Sequence, residues 1–281
     1  MCENINIVKI GSDSINEQNL RKIIDDAKKW EKQTGEKFIF ISSWAVKLWK
    51  QRIEGAWKNI EHFSKSSLAS IWQQFLMKMY DDFSGKEKLV WEVLLDDYVN
   101  AEYVQAVWIE WEGIIVGLKQ ILRRVADILS KKKDQKLQEL LIENIKNDVW
   151  SILNHNDALS NEELNNLSDR TDNDKNTVYI SGLLKDTNLH IKRVIYLTNT
   201  NWLLNKEKNT VLGWKIKSEE DKNYYKKFVE ENKSNSWTGW MKSKLDCGFK
   251  VLEYGVGEVI ISNAKNWLKC FEENRQCTKF F

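Results

Sequence analysis

A polar segment near the end of the chain has the composition of an anion-binding loop. It leads into an amphipathic stretch and reads Ser236-Trp237-Thr238-Gly239-Trp240-Met241-Lys242-Ser243-Lys244. Small residues before a helix leave backbone N–H groups free to face a phosphate, and lysines there add positive charge. The segment could therefore bind the phosphates of a nucleotide. Its two tryptophans do not suit that role, because an indole fills space and disfavours a positive φ.

The glycine and tryptophan contents of the chain are unusual. The 281 residues include 12 glycines and 14 tryptophans, whereas glycine normally makes up about 7% of a protein. Several tryptophans stand in turn-like contexts that favour glycine, namely Trp44, Trp202, Trp237 and Trp240. We hypothesise that many of these tryptophans stand where the organism reads glycine, because the gene was translated under the wrong genetic code. UGA is the obvious candidate codon. The alternative is a tryptophan-rich protein with real indoles in its core.

Charge and hydropathy limit the possible partners of the protein. The formal net charge is +2, and acidic and basic residues alternate throughout, so we expect neither nucleic-acid nor membrane binding. No apolar run is long enough to cross a bilayer and the N-terminus lacks a signal-peptide core, which predicts a cytoplasmic protein. The cysteines and histidines have no metal-ligand spacing, so no metal-ligating residue is assigned.

The first 42 residues have a parallel α/β pattern. Asn6 to Ile10 is typical of a buried strand, and Ser14 with Glu17 fits a capping box at the start of a helix. One face of that helix is apolar, with residues at helical spacing: Leu20, Ile23, Ile24 and Ala27. Phe38 to Ile41 then predicts a second buried strand. A strand, helix and strand in this order indicate a parallel sheet.

The rest of the chain continues this alternation. Further helices are predicted at 45–53, 68–80, 104–130, 135–146, 219–232 and 242–254, and further strands at 89–95, 151–153, 194–197 and 258–261. Residues 131–134 are interpreted as a solvated break and 160–176 as an acidic loop. We predict an α/β fold, a three-layer αβα sandwich with a mainly parallel central sheet, forming a single domain over residues 1–281.

Polar residues follow several of the predicted strands. These clusters are Lys9-Ile10-Gly11, Ser42-Ser43, Asn154 to Asp157 and Thr198-Asn199. In parallel α/β sheets ligands bind at the carboxyl ends of the strands, so the clusters could share one crevice. A lysine between apolar strand residues and a glycine turn, as at Lys9, suggests a polar site. The chain has no complete P-loop, Rossmann fingerprint, Gly-x-Ser-x-Gly elbow or metal cluster.

Seven short motifs span nearly the whole chain. They are Val8-Lys9-Ile10-Gly11, Ser42-Ser43-Trp44-Ala45-Val46, Ile71-Trp72-Gln73, Asn154-His155-Asn156-Asp157-Ala158, Asp172-Asn173-Asp174, Leu197-Thr198-Asn199 and Thr238 to Lys244. With glycine assumed at positions 44, 237 and 240, these motifs and their order resemble the amino acid kinase family, and within it the glutamate 5-kinases.

The resemblance implies transfer of the γ-phosphoryl group of ATP, with Mg²⁺, to the side-chain carboxylate of L-glutamate, the first step of proline synthesis. Its implied catalytic residues are Lys9, Asp174 and Lys244, with the two lysines offsetting phosphoryl charge and Asp174 orienting them. The implied glutamate-binding residues are Ser43, Asp157 and Asn173. The implied nucleotide-binding residues are Lys9, Gly11, Thr198, Asn199, Thr238, Gly239, Trp240, Met241, Lys242, Ser243 and Lys244.

The resemblance further implies an acidic-substrate lobe over about 1–170 and a nucleotide lobe over about 171–281, without the RNA-binding-like C-terminal domain of many bacterial members. We also expect a homo-oligomer. The chain departs from the family at three positions: Asn199, where the family commonly has Asp, His155, where it has Glu, and Ser151, where Pro is usual. The segment 104–149 is also longer than its equivalent in the family. Two alternatives stay open: another amino acid kinase, acting on aspartate, N-acetylglutamate or a small phosphate acceptor, or an inactive binding protein with genuine tryptophans.

Overall fold

The computed structural model describes residues 3–11, 14–42, 65–95, 116–155, 173–199, 238–271 and 277–281, with short pieces at 204–205, 210–211, 215–216, 218, 220–221 and 223–224. Within these ranges the strands are β1 (Glu3–Ile10), β2 (Lys37–Ser42), β3 (Leu89–Leu95), β4 (Val149–His155), β5 (Leu189–Thr198), β6 (Leu204–Asn205), β7 (Thr210–Val211), β8 (Lys215–Ile216), β9 (Glu258–Asn263) and β10 (Cys277–Phe280). The helices are α1 (Glu17–Thr34), α2 (Lys65–Ser84), α3 (Val116–Lys146), α4 (Asn173–Leu184) and α5 (Thr238–Leu252), with 3₁₀ turns at Gly85–Glu87 and Trp267–Phe271.

One mainly parallel sheet organises the described residues. Its strand order is β3-β4-β2-β1-β5-β9-β10-β8, and β6 pairs with β7 separately. The six strands from β3 to β9 are parallel to their neighbours, whereas β10 is antiparallel to β9 and β8 is parallel to β10. The central strands are buried along almost their full length, as parallel strands covered on both faces must be. The predicted α/β fold is confirmed.

Helices cover both faces of the sheet. One apolar core lies between the sheet and α3, α4 and α5, and includes Leu141, Ile180 and Leu245. The other lies beneath α1, α2 and the second 3₁₀ turn, and includes Ile23 and Tyr80. Because side chains alternate along a strand, Ile5 and Ile7 face the first core while Val8 and Ile10 face the second. The three layers therefore follow from strand alternation and amphipathic helices.

The start of α1 differs from its prediction. Its N-cap is Asn16, whose side-chain oxygen accepts a hydrogen bond from the backbone N–H of Asn19 at 2.8 Å. Ser14 does not form the predicted capping box. Its hydroxyl instead donates to Oδ1 of Asn199 at 3.2 Å, across 185 residues of chain. The apolar face that was predicted for this helix is fully buried.

Three other boundaries also differ. The predicted break at 131–134 lies inside the uninterrupted helix α3, since a lysine run without Gly or Pro can remain helical as an exposed face. The predicted acidic loop ends at α4, which already begins at Asn173. Helix α5 begins at Thr238 rather than 242, so residues 238–241 form its first turn instead of a loop. Asn, Asp and Thr favour both loops and helix starts, which explains these two errors.

Some tryptophans are well accommodated as indoles. Trp150 and Trp267 are almost completely buried and contact Phe40 and Phe38 with ring centroids 5.2 and 5.9 Å apart. The indole N–H of Trp150 also donates to Glu31 at 3.1 Å. The structure therefore favours real tryptophan at position 150, whereas the buried indole N–H of Trp267 has no hydrogen-bond partner among the described residues.

The tryptophans that motivated the recoding hypothesis are a separate set. Trp44, Trp202 and Trp237 lie outside the described residues, and of Trp240 only the helical backbone is described. At these positions the hypothesis stays a prediction. Among the described helices, none combines the length and apolar character that crossing a bilayer requires.

Candidate active site

The carboxyl ends of β1 and β5 lie side by side. Ile10 pairs with Leu197, and the next residue, Gly11, donates its backbone N–H to the Leu197 carbonyl at 3.1 Å. A Cβ at Gly11 would lie only 3.1 Å from that carbonyl oxygen, so glycine suits this close approach. Asn199 follows β5, and its carbonyl accepts a hydrogen bond from Asn263 at 2.8 Å. The two strand ends predicted to be close are therefore adjacent.

A buried group of three charged residues lies beside these strand ends. Nζ of Lys9 is 2.6 Å from Oδ1 of Asp174, and Nζ of Lys244 is 2.8 Å from Oδ2 of the same carboxylate. All three side chains are nearly inaccessible, with exposed fractions of 6% or less. One carboxylate is thus held between two ammonium groups.

Three secondary structure elements place these residues. Lys9 lies on the same face of β1 as Ile5 and Ile7, the face covered by α4 and α5. Asp174 is the second residue of α4, and Lys244 lies in the second turn of α5 beside the buried Leu245. The two helices pack against one another and against the sheet. Residues separated by 165 and 70 positions along the chain are thereby brought into contact.

The environment of Asp174 favours its ionised form. Burial would by itself raise the pKa of this carboxyl, but the charges of Lys9 and Lys244 and their hydrogen bonds outweigh burial and hold the pKa below its ordinary value. The first turn of α4 adds the positive end of a helix dipole. The carboxylate is therefore suited to hold two lysines rather than to take up a proton.

The same geometry argues against Asp174 as a ligand of Mg²⁺. Magnesium in nucleotide sites is usually bound by one or two carboxylates and by phosphate oxygens. Both oxygens of Asp174 face ammonium groups, which would repel a divalent cation. Among the described residues there is also no group of three or more His, Cys, Asp or Glu side chains that could hold a metal ion. Asp174 itself therefore does not fit a magnesium ligand.

Other residues expected at the site lie near this group or outside the described part. Asn173 precedes Asp174 and accepts a hydrogen bond from Asn176 at 2.9 Å. Thr198 ends β5, with Oγ1 3.5 Å from the Ser262 carbonyl oxygen. Backbone positions 238–241 form the first turn of α5, and two half-buried residues, Lys242 and Ser243, continue it towards Lys244. Ser43 and Asp157 lie outside the described residues.

Sequence reasoning missed a second polar contact beneath α4. The hydroxyls of Thr177 and Tyr196 are 2.6 Å apart, and both residues are completely buried. Strand alternation places Tyr196 on the same face of β5 as Thr198, and Tyr196 pairs in register with Lys9. Nothing in the sequence links Thr177 with this strand.

The sequence profile described as "Amino acid kinase family" matches residues 4–263. No curated protein matches the chain. Solved structures do match it over 99% of its length. Carbamate kinase from Giardia lamblia bound to AMP-PNP superposes with a TM-score of 0.58 at 13% identity and is covered over 98% of its own chain.

Two further solved structures share the fold. The T. acidophilum isopentenyl phosphate kinase product complex has a TM-score of 0.52 at 12% identity and is covered completely. N-acetylglutamate synthase from Neisseria gonorrhoeae, complexed with coenzyme A and N-acetyl-glutamate, has a TM-score of 0.53 at 11% identity and is covered over 59% of its chain. At these identities the likeness concerns the fold alone.

Proposed function

Because this chain belongs to the amino acid kinase family, we propose that it transfers the γ-phosphoryl group of ATP to the side-chain carboxylate of L-glutamate. The products are ADP and glutamyl 5-phosphate, which would make the reaction the first step of proline synthesis. The observation that carries the proposal is the buried contact of Lys9, Asp174 and Lys244. The ordered motifs named above favour glutamate over the other acceptors of the family.

The two lysines have the properties that phosphoryl transfer needs. The reaction depends mainly on alignment and on neutralising charge on the phosphoryl oxygens. Each ammonium has three N–H donors, so a lysine can contact both Asp174 and phosphate oxygens. Asp174 holds Lys9 and Lys244 in place beforehand, so little reorganisation is needed during the reaction. Magnesium, where it takes part, would be carried by the phosphates of the nucleotide.

Asp174 also bears on the type of acceptor. In the reaction a carboxylate oxygen of glutamate forms a bond to the γ-phosphorus while the bond from that phosphorus to the ADP oxygen breaks. The γ-carboxyl of glutamate has a pKa of about 4.3, so it is already ionised at neutral pH and needs no base to remove a proton. Asp174, with its lowered pKa, is a poor proton acceptor. This favours ionised acceptors such as carboxylates and phosphates over alcohols.

An acceptor panel tests the proposal. ADP release is measured with L-glutamate, L-aspartate, N-acetyl-L-glutamate, carbamate and isopentenyl phosphate, and hydroxylamine traps any acyl phosphate. We expect ADP and hydroxamate with glutamate, loss of both in Asp174→Asn, and normal rates in the control Lys185→Ala, an exposed lysine at the end of α4. Hydroxamate only with another amino acid would move the assignment to a sister kinase. ADP release with carbamate or isopentenyl phosphate, without hydroxamate, would instead indicate a kinase of the same family that acts on a different acceptor.

The tryptophan hypothesis enters the choice of protein for this assay. Peptide mass spectrometry of the native protein should read glycine at positions 44, 237 and 240, and a variant with Trp44→Gly, Trp237→Gly and Trp240→Gly should bind ATP better than the literal sequence. Native peptides with tryptophan at all three, together with tight ATP binding, would refute recoding and this placement of the phosphate loop. The cytoplasmic location and the homo-oligomer stay predictions.

A further inference from the structure

Two hydroxyls are buried together between α4 and β5. Tyr196 lies among Ile7, Val194 and Ile180, and its Oη is 2.6 Å from Oγ1 of Thr177. Both residues have no exposed surface. Burying hydroxyls costs free energy unless they are hydrogen-bonded, and an apolar pair of the same shape can serve packing equally well. A contribution to packing alone therefore does not account for this pair.

The direction of the hydrogen bonds follows from the geometry. Oγ1 of Thr177 also lies 2.6 Å from the backbone carbonyl oxygen of Asp174, which can only accept. Because Thr177 has a single hydroxyl proton, that proton goes to Asp174 and the Tyr196 hydroxyl must donate to Oγ1 of Thr177. A chain of two hydrogen bonds thus leads from the central strand to the backbone of Asp174.

This chain acts at the same turn as the ion pair of Asp174. Lys9 and Tyr196 are partners in register on neighbouring strands and face the same helix layer. Lys9 contacts the Asp174 carboxylate, and Tyr196 reaches the Asp174 carbonyl through Thr177, one helical turn along. Asp174 is therefore fixed at two points, its side chain and its backbone. First turns of helices otherwise tend to fray because their N–H groups lack intrahelical partners.

We propose that Thr177 and Tyr196 are positioning residues, which hold the first turn of α4 so that Asp174 keeps Lys9 and Lys244 in the geometry needed for phosphoryl transfer. The catalytic part of this statement rests on the proposed function. Small displacements of aligned groups can lower rates by about 10²-fold. Loss of one hydroxyl relaxes the turn without removing a charge, so we expect an effect on kcat of about tenfold and little change in the KM for either substrate.

Four variants test the proposal. Thr177→Val and Tyr196→Phe each remove one hydroxyl without changing the shape of the core, and Thr177→Ser keeps the hydroxyl as a rescue. The matched control is Tyr179→Phe, which removes a part-buried hydroxyl of the same helix that donates to Asp134 at 2.5 Å. We expect reduced kcat in the first two variants and normal kcat in Thr177→Ser and Tyr179→Phe. The double variant Thr177→Val with Tyr196→Phe should be no slower than either single one, since one chain of hydrogen bonds is broken once.

Hydrogen exchange separates this proposal from the proposed function, because it needs no substrate. Amides in the first turns of α4, including Val178, should exchange about tenfold faster in Thr177→Val and Tyr196→Phe than in the unaltered protein and in Tyr179→Phe. Unchanged exchange would overturn the proposal whether or not the protein phosphorylates glutamate. Faster exchange with unchanged kcat would overturn the catalytic part. If the unaltered protein is inactive with every acceptor, the proposed function fails, and the exchange rates alone decide whether this pair holds Asp174.

Discussion

Two buried carboxylates, each held by two cationic side chains, lie at opposite ends of the central strands. Asp174 meets Lys9 and Lys244 at the carboxyl ends of the strands. Glu36 precedes β2, at the amino ends of the strands, and contacts Lys192 and Arg193. Both acids have a lowered pKa despite burial. Under the proposed function the Asp174 cluster serves a reaction, whereas the Glu36 cluster serves only to stabilise the fold.

The two clusters differ in the donors that contact the carboxylate oxygens. Oε2 of Glu36 accepts from Asn6 at 3.0 Å, from Trp30 at 2.7 Å and from Arg193 at 2.7 Å, while Oε1 accepts from Lys192. The planar guanidinium of Arg193 also donates to Glu258 at 2.7 Å. Two neutral donors and a rigid guanidinium thus contact Oε2 of Glu36, while a lysine contacts Oε1. Asp174 is instead shared by two flexible lysines, whose ammonium groups suit transient contacts with phosphate oxygens.

The largest effect on stability is expected for Glu36→Gln. Removing one charge from a buried ion pair leaves its partners uncompensated and typically costs about 3 to 5 kcal/mol. We expect a loss of this size in the unfolding free energy, measured by urea denaturation, with unchanged kcat in the folded fraction. The control is Glu87→Gln, whose ion pair with Lys32 is exposed on both sides, so the unfolding free energy should change little. Equal losses in the two variants would contradict a special role of the Glu36 cluster.

The unfolding free energy difference between the unaltered protein and Glu36→Gln should depend on pH if its origin is electrostatic. Burial raises the pKa of Glu36, but hydrogen bonds from Lys192, Trp30 and Asn6 and the charge of Arg193 outweigh it and lower the pKa to about 2. A depressed pKa stabilises the fold above the unfolded value of about 4.3, and this contribution is lost as pH falls towards 2. The gap between the unaltered protein and Glu36→Gln should narrow between pH 4.3 and 2. A gap that is constant with pH would point to packing instead.

At the Asp174 cluster, the expected effect is on kcat. Under the proposed function, Lys9→Ala or Lys244→Ala removes a fixed positive charge that we expect to act mainly in the transition state, and should lower kcat by about 10²-fold or more. Stability should suffer less than in Glu36→Gln, because the remaining lysine still compensates Asp174. Steady-state kinetics and urea denaturation of the same samples measure both quantities. An unchanged kcat in Lys9→Ala would make this lysine structural, like the cations around Glu36.

The fold was largely predictable from the sequence because its signals are local. The apolar runs of β1 and β2 and the amphipathic face of α1 lie within short windows, and the structure has them where periodicity predicts. Lys9 was suspected for a local reason as well, as a charge in an apolar strand. The errors have more than one cause. The hydroxyl of Ser14 is taken by Asn199, which is distant in sequence, so no local rule could exclude Ser14 as the cap.

The site was predictable only in part. Asp174 and Lys244 were named through resemblance, since an acidic loop and a helical lysine are common in any chain. The contact of Thr177 with Tyr196 depends on how α4 packs on β5, which strand alternation cannot supply. The Glu36 cluster was not predicted either. Its members come from β1, α1, β5 and the turn before β2, and only the register of the parallel strands brings them together.

A third cluster gives the smallest expected effect and tests the role of burial. Nζ of Lys88 lies 2.6 Å from Asp148 and 2.8 Å from Glu31, and Lys37 contacts both acids. Unlike Glu36, the Asp148 side chain is 55% exposed, and Glu31 can neutralise the lysines without it. Solvent screening should therefore limit the loss in Asp148→Asn to below about 1 kcal/mol.

The backbone of Asp148 supplies the matched control for that experiment. Its φ is 61°, in the left-handed region that Asn tolerates and most other residues do not. Asp148→Ala loses the ion pairs and adds backbone strain, so it should be less stable than Asp148→Asn by about 1 kcal/mol in urea denaturation. A loss in Asp148→Asn as large as that in Glu36→Gln would mean that burial does not separate the two clusters. Equal stabilities of the Asn and Ala variants would instead assign the whole effect to charge.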